Sequence, residues 1–316
     1  MTQPIRIATR ASKLALWQAE RVRQSLLSQD PKRSVELVTV QTRGDIDRDR
    51  PLVAIGTIGL FTKEIQRAVL SGEADAAVHS LKDLPTEPVD GLCLAAVPPR
   101  GPVHDVFLSP RFHTLEALPP HAMVATGSLR RRAQLLRYRR DLEIVDIRGN
   151  VETRIGKLCD AGPAGLVLAA AGVQRLGLEA EVTQQLSLEV MLPAVGQGAL
   201  AVECRDDAAD LASLLRQIND PPTRAAVEAE RAFLRRLGGG CHVPIAALAE
   251  IANGVLSLRG TVLDPDGRQC FSERLSGPST DSVLIGARLA ELLLERGAAA
   301  VLGQMDANGV SSQQDC

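Results

Sequence analysis

Apolar positions in the first two-thirds of the chain switch repeatedly between a strand period and a helix period. Ile5 to Ala8 is a short apolar run that reads as a strand. Ser12 then stands as a helix N-cap before Ala15, Ala19, Val22 and Leu26, whose i, i+4, i+7, i+11 spacing builds one helical face. Val35 to Val40 is a β-branched strand, 61–70 is helical, and Ala74 to Val78 is a buried strand opening into Ser80-Leu81-Lys82-Asp83-Leu84-Pro85. After Pro98-Pro99 the pattern recurs. Strands are expected at Met123 to Ala125, Glu143 to Ile147 and Leu166 to Ala169, with helices at Leu129 to Arg139 and Val151 to Leu158. This alternation predicts an α/β fold of parallel sheets with crossover helices.

From about Pro221 the pattern changes. Thr223 to Arg236 reads as one long helix, and strands follow with Asn253-Gly254 and Asp266-Gly267 between them, both hairpin signals. Ser282 to Glu295 closes the region as an amphipathic helix. The prediction is a separate α+β domain with a small antiparallel sheet.

Composition narrows the functional classes. A chain of 316 residues has room for two or three domains. With one Trp, one Tyr and a net charge of −2, it is poorly equipped to stack on bases or to seek nucleic acid and anionic membranes. No apolar run approaches the ~18 residues of a membrane span, and no signal peptide is expected. The six cysteines (93, 159, 204, 241, 270, 316) are widely spaced without a CxxC pair. They read as reduced thiols, not as a disulfide framework or zinc site, which points to the cytoplasm. The five histidines have no metal-ligand spacing, so no metal is expected. The motifs GxGxxG, GxxxxGK[ST] and GxSxG are absent.

Charge placement is more telling. Arginines outnumber lysines 31 to 5, and eight of them (130, 131, 132, 137, 139, 140, 148 and 154) fall between Thr126 and Arg154. Arg137, Arg139 and Arg140 sit late in a helix, where solvent and the helix dipole accommodate them. Arg130 and Arg131 open that helix, where cations oppose the dipole, so an anion is expected beside them. Arg148 and Arg154 extend the same argument, and Arg10 with Ser12 adds donors at the first strand-to-helix turn. Asp83, Ser128-Leu129-Arg130-Arg131 and Arg148-Gly149-Asn150 each follow the carboxyl end of an expected strand, where open α/β sheets bind ligands. Asp83 is then either a turn residue or one carboxylate in a crevice of arginines. Cys241, after Gly238-Gly239-Gly240, reads as an attachment point, a nucleophile or a spectator thiol.

Taken as a set, these residues resemble the porphobilinogen deaminases (hydroxymethylbilane synthases). The resemblance runs through Ile7-Ala8-Thr9-Arg10-Ala11-Ser12 with Leu14-Ala15-Leu16-Trp17-Gln18, Thr42-Arg43-Gly44-Asp45, and Ala77-Val78-His79-Ser80-Leu81-Lys82-Asp83-Leu84-Pro85. It continues through Ser128-Leu129-Arg130-Arg131, Arg148-Gly149-Asn150-Val151 with Thr153-Arg154, Leu192-Pro193-Ala194-Val195-Gly196-Gln197-Gly198, and Gly239-Gly240-Cys241. It implies two α/β domains like those of periplasmic binding proteins, 1–98 with 194–218 and 99–193, and a third α+β domain, 219–316. It also implies a transferase of tetrapyrrole biosynthesis that condenses four porphobilinogens head to tail with loss of ammonia. The chain would grow on a dipyrromethane cofactor held by a thioether to Cys241.

By the same resemblance, Asp83 is the catalytic carboxylate, with Lys82 beside it. It would hold the pyrrole N–H, stabilise the cationic azafulvene left as ammonia departs, and help remove the proton after coupling. Ser80, Lys82, Thr126, Ser128, Arg130 and Arg131 would hold the cofactor. Arg10, Ser12, Gln18, Arg148, Arg154 and Arg175 would meet the acetate and propionate groups of the substrate. A monomer is expected. Two segments depart from the family. Ala54-Ile55-Gly56-Thr57-Ile58-Gly59-Leu60-Phe61 lacks the lysine usual at Ile58 and frequent at Ala54, and Gly101-Pro102-Val103-His104 replaces an acidic-Pro-Arg run. The competing class is a non-catalytic two-lobed protein that binds a small polyanion. It has no use for Asp83 and Cys241.

Overall fold

The computed structural model describes residues 3–42, 62–159, 162–238 and 243–304. The lid segment 54–61 and Cys241 lie outside the described residues.

The first unit begins with β1 (Ile5–Arg10), α1 (Lys13–Gln29), β2 (Val35–Val40), α2 (Lys63–Leu70), β3 (Ala76–Ser80) and β4 (Leu92–Ala96). Helix α1 forms as its sequence dictates. Ser12 Oγ accepts from the Ala15 N–H, and Ala15, Ala19, Val22 and Leu26 are all buried. Strand β3 starts two residues later than expected. The Ala74 N–H is spent on the Ala68 carbonyl at the end of α2, so pairing with β1 begins only at Ala76.

The second unit holds β5 (Asp105–Leu108), β6 (Met123–Ala125), α3 (Leu129–Tyr138), β7 (Glu143–Val145), α4 (Val151–Cys159), β8 (Gly165–Ala169), α5 (Ala170–Arg175) and β9 (Gln184–Gln185). Its sheet order is β7-β6-β8-β5-β9. The chain then returns to the first unit as β10 (Leu200–Arg205), giving the order β2-β1-β3-β10-β4. Neither sheet is purely parallel, contrary to the expectation. Strand β10 runs antiparallel to both β3 and β4, and β5 runs antiparallel to β8 and β9. Periodicity reports strands but not their direction. The direction here follows from a chain that leaves one sheet and later re-enters it.

The two crossings between the units lie side by side. The Gly101 N–H donates to the Gly198 carbonyl at 3.1 Å. Gly198 has φ +85°, and a Cβ there would meet the Gly101 and Pro102 carbonyl oxygens at 2.6 and 2.7 Å, so only glycine allows this approach.

After α6 (Ala209–Leu215), α7 (Pro221–Arg236) packs on a three-stranded antiparallel sheet, β11 (Ile245–Ala252), β12 (Val255–Leu263) and β13 (Cys270–Pro278), with α8 (Ser282–Leu293) alongside. The expected turn at Asn253-Gly254 forms with φ of 50° and 76°, the left-handed pair a two-residue hairpin requires. Phe233, Leu256, Leu258 and Leu289 fill this core. Glu230 on α7 is fully buried and ties the unit to the crossings. It pairs with Arg100 at 2.7 Å and accepts from the N–H groups of Gly196 and Ala249. Among the described residues no helix is long and apolar enough to cross a membrane.

Candidate functional site

The carboxyl ends of the strands in both α/β units face one cavity of about 80 Å³. Gln18 reaches it from α1, Ser80 and Lys82 from the end of β3, Arg131 from α3, Arg154 from α4 and Arg175 from α5. Leu14, Leu168, Gly172 and Gly198 complete part of its wall. Six residues singled out in the sequence thus meet on one space, although they span most of the first two units.

The β3 end is shaped by its pairing. Strand β3 continues to Ser80, opposite Leu200, and Leu81–Asp83 then forms one tight helical turn. Leu81 is buried beneath it, while Lys82 is half-buried and Asp83 exposed. The Gln18 amide donates to Ser80 Oγ at 2.7 Å, fixing the turn against α1. Among the described residues neither Lys82 nor Asp83 has a hydrogen-bond or salt-bridge partner. Burial pulls the Lys82 ammonium down to about 8; Asp83 opposes this and Arg131 adds to it. Asp83 itself does not line the cavity, but its charge acts on both Lys82 and Arg154, which do.

The anion expected beside Arg130 and Arg131 is, in this structure, a side chain of the protein. Asp105, at the head of β5 and wholly buried, takes Arg131 Nε and Nη2 at 3.1 and 2.8 Å and pairs with Arg130 Nη1 at 2.8 Å. The Gln197 amide also donates to it at 3.1 Å. Burial alone would raise this carboxyl, but Arg130 and Arg131 outweigh it and hold it at about 2. Arg130 turns away from the cavity to the Leu192 carbonyl, whereas Arg131 keeps a face on the cavity wall. Ser128 caps α3 by accepting from the Arg131 N–H and donates its own N–H to Thr126 Oγ1. The Ser and Thr therefore shape the helix start but do not reach the cavity.

The remaining arginines are held by their own neighbours. Arg154 donates to the Gly149 carbonyl at 2.8 Å, and burial, with Arg131 and Arg148 nearby, lowers it to about 10. Arg175 donates to the Gly198 carbonyl at 2.6 Å and lies over the Trp17 ring at 5.5 Å; burial lowers it to about 10. Arg148 pairs with Asp146 through Nε, leaving a buried Nη1 without a hydrogen-bond partner. Arg10, half-buried, ends β1, and Ser12 caps α1; neither lines the cavity. Asp105 and Gln197 were missed as contributors to the site. The available signal was two cations at a helix start with no acidic residue close in sequence.

These features suit a ligand bearing several carboxylates. Lys82 offers a cation unpaired by any described carboxylate, Arg148 an orphaned buried N–H, and Arg131, Arg154 and Arg175 partly committed guanidinium groups. Among the described residues Asp83 is the acidic side chain on the turn that supplies Lys82.

Comparison with known proteins identifies the family. Residues 5–213 match the family described as porphobilinogen deaminase, dipyromethane cofactor binding domain, and 224–295 match the porphobilinogen deaminase C-terminal domain. The porphobilinogen deaminase of Syntrophotalea carbinolica is 47% identical over 302 residues, covering 96% of each chain. That of Syntrophomonas wolfei is 48% identical over 298 residues, covering 94% of this chain and 97% of its own. Among solved structures, the methionine-binding protein MetQ aligns with a TM-score of 0.43 at 16% identity, over 68% of this chain and 89% of its own, too loose a likeness to carry functional weight. On the family matches and the identity along nearly its whole length, this chain belongs to the porphobilinogen deaminase family.

Proposed function

We propose that the protein is a hydroxymethylbilane synthase that joins four porphobilinogens head to tail, releasing an ammonia at each joining, in tetrapyrrole biosynthesis. The observation that carries the reading is the convergence of Lys82, Arg131, Arg154 and Arg175 from two α/β units on one cavity, beside the Asp83 turn. A dipyrromethane cofactor, when bound, supplies the pyrrole terminus to which each unit is added. Cys241 is the proposed thioether anchor.

Each side chain has a task. Lys82 and Arg131 would hold cofactor carboxylates, with Ser80, Thr126, Ser128 and Arg130 supporting their positions. Arg10, Arg148, Arg154 and Arg175 would receive the acetate and propionate groups of incoming substrate, since the guanidinium fork matches a carboxylate bidentately, with Ser12 and Gln18 as neutral donors. Asp83 would hold the pyrrole N–H, face the positive charge left as ammonia departs, and take up the proton released on coupling. The proposed division is 1–98 with 194–218, 99–193 and 219–316. The cavity, about 80 Å³, is smaller than the ~300–1,000 Å³ that ligand sites usually enclose, and separation of the α/β units about the crossings at Gly101 and Gly198 would enlarge it. A monomer is proposed. Free thiols at Cys93, Cys204 and Cys270 support a reducing compartment, the cytoplasm.

Cofactor loading separates the arginines. Arg131→Leu protein is expected to purify largely without the cofactor mass, while Arg137→Leu, changed at an exposed position late in α3, loads normally. Intact mass spectrometry reads both, with thermal unfolding as the control for folding. Equal loading in two folded variants would remove Arg131 from the site.

The Lys82 ammonium gives a pH signature. With its pKa lowered to about 8, the free protein loses this cation as pH rises through that value. The rate of cofactor assembly on the apoprotein, in which Lys82 has no cofactor carboxylate beside it, is therefore expected to fall above about pH 8. Lys82→Arg keeps its charge and should move that alkaline limb upward. Superimposable limbs in the two proteins would show that Lys82 does not act as a cation.

A further inference from the structure

Two thiols that stand 111 residues apart in sequence meet in the first sheet. Cys93 on β4 and Cys204 on β10 are cross-strand partners in an antiparallel pair, with Sγ atoms 3.7 Å apart. Cys93 is half-buried and Cys204 fully buried. We propose that this pair is an oxidation site, which a hydroperoxide converts to a cross-strand disulfide.

Directly opposed residues of antiparallel strands have Cα atoms about 4.5–5.5 Å apart, inside the ~4.4–6.8 Å span a disulfide accepts. Closing the sulfur gap calls for side-chain rotation, not displacement of a strand. The register skips Ala95 of β4 between the Val202–Ala96 and Glu203–Leu94 pairs, so β4 is bulged beside the thiol pair. The solvent-reachable Cys93 is the attacking thiol. Burial, with Cys93 alongside, pushes the Cys204 thiol up to about 12, so Cys204 does not ionise first. The Cys93 thiolate attacks the peroxide oxygen, the O–O bond breaks, and the alcohol leaves carrying the former thiol proton. Cys204 sulfur then displaces hydroxide from the resulting Cys93 sulfenic acid. Its own proton and that hydroxide leave as water, so two thiols are oxidised and one peroxide reduced.

The position defines the consequence. Strand β4 leads into the first crossing, and β10 continues from the second. A bond between them closes a covalent loop around the whole second unit at the root of its neck. Cys204 pairs with Ala76, at the far end of β3 from the Ser80–Leu200 pair, so the cavity stays open.

The test treats the cofactor-loaded protein with hydrogen peroxide, caps free thiols with N-ethylmaleimide and maps peptides without reduction. The expected product is a single cross-linked pair containing Cys93 and Cys204, about 2 Da lighter and reversed by dithiothreitol. Thermal unfolding should shift upward by several degrees, as closing a long loop predicts. Cys93→Ser, which leaves the buried Cys204 in place, should lose both effects. Cys93 over-oxidised to sulfinic acid with Cys204 still free, or a cross-link to another cysteine, would overturn the proposal.

Discussion

Cys241→Ser protein is expected to carry the mass of the bare polypeptide and to retain almost no turnover. A serine hydroxyl ionises far less readily near neutral pH than a thiol, and the thiolate is the better nucleophile. The substitution replaces one sulfur by oxygen, and the core of the C-terminal unit is built from other side chains, so the fold should persist. Porphobilinogen should still be recognised by the arginines, and weak binding without catalysis is the expected phenotype. Peptide mapping of the parent protein should place the dipyrromethane on Cys241. An adduct found on Cys204 or Cys270, or an active parent with no adduct, would contradict the assignment.

Asp83→Asn is expected to keep the cofactor and lose turnover by about 10²–10⁴-fold, the range for a positioned acid–base or electrostatic group. The amide oxygen still accepts a hydrogen bond from a pyrrole N–H. It supplies no negative charge to the developing cation and takes up no proton. The structure sharpens this expectation, because the buried carboxylate whose charge also acts on Lys82, Asp105, is already committed to Arg130 and Arg131. Asp83 is exposed on its turn, so the change should cost little stability. Loading verified by mass and turnover within about threefold of the parent would exclude the proposed role.

Much of this was legible in the sequence, for physical reasons that differ between elements. The α1 face and its Ser12 cap follow from local spacing and local hydrogen bonds, as does the Asn253-Gly254 hairpin. The arginine site was legible because cations at a helix start are locally unfavourable and need an explanation. Strand β10 was not read as a strand from Leu200-Ala201-Val202-Glu203-Cys204-Arg205, nor β5 from Asp105-Val106-Phe107-Leu108. Those short segments are buried by partners far away in the chain, and their antiparallel direction is set by topology. The same limit hid the partner of Arg131. Asp105 lies 26 residues away, and only the packing of β5 against β8 brings it beneath α3. The thiol pair escaped notice for the same reason.

Strand β10 also fixes an order of events during synthesis. It fills the gap between β3 and β4, yet Leu200 leaves the ribosome 104 residues after Ala96. At ~5–20 residues per second, that is a delay of roughly 5–20 s. The β5–β9 sheet is contiguous in sequence and can fold within this interval, while the facing edges of β3 and β4 remain unpaired. The turn bearing Lys82 and Asp83 therefore acquires its backing strand only after the opposite wall of the cavity has been made. Nascent chains arrested before residue 200 should be the aggregation-prone species, and an N-terminal fragment ending there should not assemble the first sheet.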